Sequence, residues 1–317
     1  MKEKIKELFD STTAQQALFF NHNPSQPYFS YFTGLPLKQF EDSALALAKG
    51  KKPTIITTTL SQGLLENRKE FIEKTANNKK QFIETILKTL PEKKIGINFQ
   101  EFSPASLARL KAIMKGKQLV NISKQLEKLR ETKTESEKRK IASAVKITER
   151  ALEKIPLLVK KGTSEKNLAK RIEIEMLENG ADTTAFPPIT ASGKNARIPH
   201  YIPTEKKISK GFLIVDCGAR FENYCADLSR TFFVGRASEK QKTLYELTFN
   251  AKKEAEKKAV LGAKASMLFN AVESVLAKQN FKMVHALGHG IGLQDHDFPR
   301  GISAKSTWKL EKGMCLA

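Results

Sequence analysis

Short apolar runs alternate with longer amphipathic stretches along the first half of the chain. The runs are rich in β-branched or aromatic residues and are bounded by Gly, Pro or Asn, which is typical of strands. They predict strands at residues 17–20, 28–32, 43–48, 54–59, 95–99 and 119–122. Helical spacing of apolar residues predicts helices at 65–77, 80–90 and 104–115. The alternation favours a sheet covered by helices.

A polar stretch at residues 129–134 separates this pattern from a long predicted helix at 135–154. Thr134 with Glu137 three residues later has the form of a capping box, which marks a helix start. A second helix is predicted from Ser164 to the glycine at position 180. We therefore predict an N-terminal α/β domain at residues 1–133 and a second domain at residues 134–317.

The second domain carries two aspartates on β-prone segments. Predicted strands lie at residues 189–192, 212–217, 224–233 and 283–287, and predicted helices at 239–259 and 266–278. Asp216 ends an apolar strand and Asp227 lies in the next one, with turn formers between them. A return of the chain there brings two carboxylates side by side, where they repel unless a proton or cation intervenes. The alternative is that each aspartate caps a turn and faces water.

Three histidines crowd into one glycine-rich stretch, at His285, His289 and His296. The alternating glycines of residues 288–292 argue against a helix, so these histidines are not a helical zinc-binding pair. Glycine on both sides of His289 lets backbone and metal approach closely, which makes His289 the candidate ligand. His285 and His296 are candidates for hydrogen-bonding a substrate. For any one histidine a satisfied core residue is the alternative, and His22 has only that interpretation.

Composition restricts the class of protein. Hydrophobic residues make up 40% of the 317 residues and charged residues 28%, as in a folded globular protein. The longest apolar runs are too short to cross a bilayer, and the charged N-terminus has no secretory pattern. Three cysteines indicate reduced thiols in a cytoplasmic protein. Cys217 and Cys225 are interpreted as small buried strand residues, with soft metal ligands as the alternative.

The net charge of +21 raises the possibility of a nucleic-acid partner. The lysines are spread along the whole chain, however, and motifs that interleave basic and aromatic residues are absent. A lysine-rich solvated surface is therefore the favoured interpretation, and neither a nucleic-acid nor a membrane partner is expected.

Several motifs of the chain, taken together, resemble those of a known family. The segment from about Thr134 to Ala317 resembles the pita-bread metallopeptidase family of prolidase, aminopeptidase P, methionine aminopeptidase and creatinase. Residues 31–35 resemble, more weakly, the amino domain of the prolidase and aminopeptidase P branch. The resemblance implies an α+β protein, with an N-terminal α/β domain followed by an incomplete pita-bread domain. The pieces that carry it, in chain order, are residues 186–200 ending Ala-Arg-Ile-Pro-His, Asp216-Cys-Gly, Tyr224-Cys-Ala-Asp227-Leu-Ser-Arg-Thr-Phe, and His285-Ala-Leu-Gly-His289-Gly-Ile-Gly-Leu with His296-Asp297.

The resemblance implies a metal site and an activity. Asp216 would chelate one metal ion, Asp227 would bridge two, and His289 would bind one of them. The two ions would be divalent manganese, cobalt, zinc or iron. The implied reaction is hydrolysis of the Xaa-Pro bond of a peptide by a metal-bridging hydroxide, as a dipeptidase or aminopeptidase. A cytoplasmic homodimer is implied as well.

The resemblance also implies catalytic roles for three histidines. His200, His285 and His296 would line the substrate pocket. His200 and His296 would bind substrate, and His296 would lie near the tetrahedral intermediate.

The sequence departs from the family pattern at two places. Asp295 and Asp297 flank His296, where the family usually has Val and Glu, and we expect Asp295 to stabilise a protonated His296. The family completes its site with two glutamates, the first in a Glu-Pro-Gly segment. Residues 313–317 resemble the start of the preceding strand, and neither glutamate is present in this sequence. We therefore expect a C-terminally truncated chain with impaired activity as given.

Two other functions remain open. One is a non-catalytic pita-bread protein that binds RNA or ribosomes through its basic surface. The other is creatinase-like cleavage of a small guanidino compound. The presence of Asp216, Asp227 and His289 together argues against both alternatives.

Overall fold

The computed structural model describes residues 1–21, 27–36 and 39–317. His22 lies outside the described residues. The chain divides into two units, Met1–Leu129 and Arg130–Ala317, and each is described by itself.

A six-stranded mixed sheet forms the centre of the first unit. Its order is β4-β3-β2-β1-β5-β6, in which β2 pairs antiparallel with both β1 and β3 and the three remaining pairings are parallel. The strands are β1 (Gln16–Asn21), β2 (Ser43–Ala48), β3 (Thr54–Thr58), β4 (Ile72–Ala76), β5 (Lys94–Ile97) and β6 (Gln118–Asn121). Five of the six strands predicted for this part of the chain are thereby confirmed, with small shifts at their ends.

Helices lie before, between and after these strands. Ile86, Leu90 and Leu110 pack against buried residues of the sheet such as Leu18 and Ile95, and form the core of this unit. Ser103 caps its helix by accepting a hydrogen bond from the backbone of Ser106. The helices are α1 (Lys2–Asp10), α2 (Tyr28–Thr33), α3 (Lys79–Thr89), α4 (Pro104–Ile113) and α5 (Ser123–Glu131).

Two predictions for the first unit are wrong. Residues 28–32 form the helix α2 and not a strand, because Tyr28 to Phe32 are buried all round and Gly34 ends the helix in a left-handed conformation. Residues 65–77 form turns and then β4 in place of the predicted helix. Parallel pairing of β4 with β3 supplies the backbone hydrogen bonds there and overrides the local helical preference.

The second unit contains three small antiparallel sheets in its described part, with the orders β12-β9-β8, β11-β10-β7 and β13-β14. The strands are β7 (Thr183–Thr184), β8 (Ile189–Ser192), β9 (Gly211–Cys217), β10 (Ala219–Phe221), β11 (Tyr224–Cys225), β12 (Leu228–Val234), β13 (Gly288–Gly290) and β14 (Asp297–Ile302). The helices are α6 (Glu135–Glu153), α7 (Ile155–Leu158), α8 (Glu165–Glu178), α9 (Glu239–Lys258) and α10 (Ala265–Ala277).

One face of β9 packs on helices α6 and α8. Leu213, Val215 and Cys217 alternate along this strand and are fully buried against residues such as Ile147 and Ile172. Because side chains alternate across a strand, Asp216 projects from the opposite face. The core thus fixes the position of the first predicted ligand.

Local signals in the second unit are mostly confirmed. Thr134 and Glu137 form the predicted capping box at the start of α6, and Gly180 adopts a φ of 98° after α8. The predicted strand at residues 224–233 is instead two strands, interrupted at Ala226 and Asp227. Residues 283–287 are not a strand, and β13 follows them. No helix in the described part combines the length and apolarity needed to cross a membrane.

Candidate metal-binding active site

Asp216 and Asp227 meet at one end of the β9–β12 pair. Asp216 lies opposite Ser229, and the Ser229 hydroxyl donates a hydrogen bond of 2.7 Å to Asp216 Oδ1. Asp227 directly precedes β12. The chain returns between them through Glu222 and Asn223, whose φ angles of 46° and 71° are those of a tight hairpin turn. The predicted return is confirmed, and it contains the short strands β10 and β11.

Gly218 permits this return. A Cβ atom on Gly218 would lie 1.8 Å from the carbonyl oxygen of Ala226, so no other residue fits without moving the backbone. Ala226 in turn donates its amide to the carbonyl of Ala219 at 2.9 Å. The close approach of Gly218 to Ala226 and this hydrogen bond together place the residues before Asp227 against the end of β9.

The two carboxylates perturb each other. Burial, the negative charge of Asp216 and a hydrogen bond shared with Asp216 together raise the pKa of Asp227 to about 7. The Asp227 side chain is only 14% exposed. A group with this pKa holds a proton near neutral pH unless a cation takes the place of the proton.

His289 faces Asp227 from β13. Its Nε2 atom lies 3.4 Å from Asp227 Oδ2, and its Nδ1 atom lies 3.2 Å from the carbonyl oxygen of Gly290. A carbonyl only accepts, so this geometry assigns the proton to Nδ1 and leaves a lone pair on Nε2. Burial lowers the pKa of His289, which favours this neutral form. Two acceptors therefore face each other at 3.4 Å, an arrangement that a proton or a cation between them satisfies.

The glycines around His289 serve close backbone approach. A Cβ on Gly288 would lie 2.1 Å from the carbonyl oxygen of Ala317, and one on Gly290 would lie 2.5 Å from the backbone of Phe298. His289 and Ala317 also exchange two backbone hydrogen bonds, of 3.0 Å and 2.9 Å. The backbone part of the glycine prediction is confirmed, and close approach of a metal stays a prediction.

His296 joins the same cluster. Its ring stacks on that of His289, with centroids 3.8 Å apart and planes inclined by 21°. Its Nδ1 atom lies 3.2 Å from Asp295 Oδ2, so the neighbouring aspartate orients the imidazole. The His296 side chain is 63% exposed and is open to a ligand.

A buried ion pair that the sequence did not reveal holds the residue next to His296 in place, and this stretch is called the His296 segment. Arg130 Nη2 lies 2.7 Å from Asp297 Oδ1, and both side chains are 2% exposed. Arg130 also donates to the side chain of Gln294 at 2.9 Å. The only local signal was Asp297, noted as a departure from the family pattern. Nothing near Arg130 indicated its partner, which lies far along the chain.

Among the described residues, neither His200 nor His285 is seen in contact with this cluster. Both are exposed, and no hydrogen bond, ion pair or ring contact within the described ranges joins either one to Asp216, Asp227 or His289. His285 Nδ1 lies 2.6 Å from the carbonyl oxygen of Ala286. Their predicted place in a common substrate pocket stays a prediction.

The donor chemistry at Asp227 fits a divalent cation. Two carboxylates and a neutral imidazole are ligands that zinc, manganese, iron and cobalt accept, and the facing lone pairs of Asp227 and His289 call for a cation or a proton. Within the described residues, no three His, Cys, Asp or Glu side chains are placed so that they could hold a metal ion together. Binding of a cation therefore requires adjustment of side chains around Asp227.

The cysteines behave as packing residues. Cys217 and Cys225 are fully buried, and burial raises the pKa of each thiol to about 12. A thiol with that pKa is neutral at physiological pH and is a poor metal ligand. All three cysteines are free, which favours the strand-residue interpretation.

Two family profiles together match most of the chain. Residues 139–317 match the profile of Metallopeptidase family M24, and residues 3–132 match that of the Creatinase/Prolidase N-terminal domain. An uncharacterized peptidase of Bacillus subtilis is 29% identical across 99% of this chain and 88% of its own length. A Xaa-Pro dipeptidase of Pyrococcus horikoshii is 35% identical across 59% of this chain, and the match spans only 54% of that protein.

Solved structures show the same architecture. An X-Pro aminopeptidase from Thermotoga maritima superposes with a TM-score of 0.88 at 25% identity, covering 98% of this chain and 88% of that one. A prolidase from Pyrococcus horikoshii gives a TM-score of 0.88 at 26% identity, covering 99% and 88%. These likenesses confirm the predicted fold class, an N-terminal α/β domain joined to a pita-bread domain.

Proposed function

The chain belongs to metallopeptidase family M24, and we propose that it is a metal-dependent exopeptidase that hydrolyses Xaa-Pro bonds as a dipeptidase or aminopeptidase. The observation that carries the proposal is the carboxylate pair of Asp216 and Asp227 facing the Nε2 lone pair of His289. The Xaa-Pro dipeptidases and aminopeptidases among similar proteins and structures support the choice of substrate.

Asp216, Asp227 and His289 are the proposed metal ligands, for two divalent ions such as manganese or cobalt. A divalent cation bound there supplies Lewis-acid activation of water and of the scissile carbonyl. Ser229 holds Asp216 in orientation through its 2.7 Å hydrogen bond. Gly290 holds the tautomer of His289 that directs Nε2 toward the carboxylates.

His296 is proposed to contact the reacting part of the peptide. Asp295 lies at Nδ1, so the opposite ring edge, at Nε2, can hydrogen-bond a substrate oxygen. His200 and His285 are proposed as substrate-facing residues on the family resemblance alone.

Hydrolysis of Xaa-Pro dipeptides and Xaa-Pro-Xaa tripeptides tests the activity. The protein, expressed from its complete reading frame, is chelated and then supplied with Mn²⁺ or Co²⁺. We expect turnover that depends on metal and that falls at least about a hundredfold in Asp227→Asn, because a ligand is lost. Asp10→Asn, which changes an exposed carboxylate of the first unit, is the matched control.

Absence of turnover above the chelated sample would overturn the peptidase proposal. Metal content by elemental analysis and a salt-titrated RNA-binding assay then address the alternative of a basic, non-catalytic protein. Salt-sensitive RNA binding without bound metal would favour that alternative.

We further propose that the protein works in the cytoplasm as a homodimer. Three free cysteines support a reducing compartment. The dimer rests on the family resemblance, and light scattering coupled to size-exclusion chromatography tests it.

A further inference from the structure

Glu165 is a buried carboxylate at the start of helix α8. Its side chain is inaccessible to solvent and accepts hydrogen bonds at both oxygens. Ser192 donates to Oε1 from its amide at 2.8 Å and from its hydroxyl at 2.9 Å. Tyr201 donates its hydroxyl to Oε2 at 2.8 Å, and the Asn195 amide lies 3.1 Å and 3.0 Å from the two oxygens. One carboxylate thus binds Ser192, the last residue of β8, together with Asn195 and Tyr201, which follow that strand.

Glu165 keeps its charge without a cationic partner. No lysine, arginine or histidine in the described part forms an ion pair with it. Burial by itself raises the pKa of Glu165, but the hydrogen bonds from Ser192 and Tyr201 outweigh burial and hold the pKa below its usual value. A buried carboxylate is costly unless such donors satisfy it, so the donors and Glu165 depend on each other.

The backbone at the start of α8 binds the far end of the same segment. Glu165 donates its amide to the carbonyl of Lys206 at 3.0 Å, and Lys166 donates to that of Thr204 at 2.9 Å. The first amides of a helix have no partner inside the helix, and here the segment supplies it. The Thr190 hydroxyl donates to the Glu165 carbonyl at 2.6 Å. Residues 190–206 are therefore tied at their beginning, middle and end to one helix terminus.

Within this stretch, residues 192–206 are the segment that Glu165 binds, and they expose apolar side chains, which is unusual for a loop. After the 3₁₀ helix Gly193–Arg197 it has no regular structure, yet Ile198 and Ile202 are 48% and 80% exposed. Between them, exposed His200 adopts a φ of 53°, a left-handed conformation that costs a non-glycine residue about 1 kcal/mol. Strain of this kind persists only where the surroundings impose it, and it is concentrated at functional sites.

We propose that Glu165 is a positioning residue that preorganises the segment 192–206 and holds His200 in its strained conformation before substrate binds. The inference rests on the proposed peptidase function, in which His200 faces the substrate. A segment ordered in advance spares substrate binding the entropy of ordering it. Loss of Glu165 should therefore weaken substrate binding more than it slows the reaction of the substrate once it is bound.

Trypsin provides a readout that does not depend on activity. Lys194 and Arg197 are exposed within the segment, and cleavage after them requires local loosening of the chain. We expect Glu165→Gln to speed cleavage at these two bonds at least tenfold under native conditions. The matched control is Glu137→Gln, because Glu137 is likewise buried in a first helical turn and accepts a tyrosine hydroxyl, that of Tyr224, at 2.9 Å. The control should leave both cleavage rates within twofold of wild type.

Kinetics give the second readout. In Glu165→Gln we expect KM for an Xaa-Pro dipeptide to rise at least fivefold, with kcat and metal content changed less than twofold. Tyr201→Phe removes one donor from a half-buried position and should produce the same pattern with smaller changes. This milder variant keeps the test decisive if Glu165→Gln does not fold.

Several outcomes overturn the inference. Wild-type cleavage rates in both Glu165→Gln and Tyr201→Phe would do so. Equal acceleration in Glu137→Gln would do so too, because it would reveal general destabilisation. A fall in kcat with unchanged KM would contradict the positioning role. Absence of turnover in the wild-type protein would defeat the peptidase proposal instead, while the trypsin rates would still decide whether Glu165 orders the segment.

Discussion

His289 and His296 stack face to face, with ring centroids 3.8 Å apart. Two imidazolium rings at this separation repel each other, so the pair favours at most one positive charge. Burial, followed by the charge of His296, lowers the pKa of His289, which keeps this ring neutral and its Nε2 lone pair available. The exposed ring of His296 is left open to a ligand while the Nε2 lone pair of His289 faces Asp227.

Protonated Asp227 should stabilise the metal-free protein, so the free energy of unfolding should fall as the pH rises and this proton is lost. The pKa of Asp227 is raised from 3.8 to about 7 in the folded state, so between these pH values the folded chain binds more protons than the unfolded one. This contribution is fully present below about pH 4 and is lost as pH rises to about 7. Each pKa unit corresponds to about 1.4 kcal/mol, so the loss amounts to a few kcal/mol. Urea unfolding in chelator at pH 5 and pH 7.5 measures it. Asp227→Asn should lose most of this pH dependence, and an unchanged slope in that variant would contradict the assignment.

Asp297→Asn should destabilise the second unit strongly. The substitution leaves the buried guanidinium of Arg130 without its carboxylate, and breaking a buried ion pair costs about 3–5 kcal/mol. The free energy of urea unfolding measures the effect. Glu239→Gln breaks an exposed ion pair with Lys242 and should cost less than about 1 kcal/mol. Similar costs for the two variants would mean that the buried pair does not support the His296 segment.

Gly218→Ala should be poorly tolerated for steric reasons. The new Cβ would lie 1.8 Å from the carbonyl oxygen of Ala226, so the backbone of the return must move, at a cost of about 3 kcal/mol or more. Gly301→Ala is the control, because its Cβ would meet only Ala286 at an ordinary 3.8 Å. That variant should stay within about 0.5 kcal/mol of wild type. Thermal unfolding and metal content of both variants test this, and normal metal binding by Gly218→Ala would refute the role of the close contact.

Cys217 and Cys225 should resist alkylation in the native protein. Burial raises the pKa of each thiol to about 12, so at pH 8 only about one molecule in ten thousand carries the reactive thiolate. Cys315 is partly exposed and should react first with iodoacetamide. Mass spectrometry of native and urea-unfolded samples counts the modified thiols. Alkylation of Cys217 or Cys225 as fast as that of Cys315 would indicate an accessible, ligand-like thiol.

The pairing of the two aspartates could be predicted because every step of it is local. An apolar strand, a run of turn formers and a second β-prone segment are contiguous in sequence, and their return places Asp216 beside Asp227. The capping box at Thr134 could be predicted for the same reason, since three residues contain the whole signal. The flanking glycines marked His289 as a candidate metal ligand, and the family resemblance then related it to this pair of aspartates.

Features that depend on distant partners could not be predicted. Residues 28–33 have aromatic side chains suited to a strand, but they form a helix whose residues 28–32 are all buried and which Gly34 ends in a left-handed conformation. Residues 72–76 are charged and helix-prone, but their pairing with β3 makes them a strand. Arg130 and Glu165 look like ordinary surface residues in the sequence, because the groups that bury them lie on other elements.

The tight backbone around His289 limits how the site can be altered. Gly288 lies against the carbonyl oxygen of Ala317, Gly290 against the backbone of Phe298, and Gly292 against the carboxylate of Asp297. At each of these three glycines the distance excludes even a methyl group. A library that randomises these positions should yield mainly unfolded proteins. Variation of metal preference or substrate range, in evolution or in the laboratory, is left to positions whose side chains only border the cluster, such as Ser229 and Asp295.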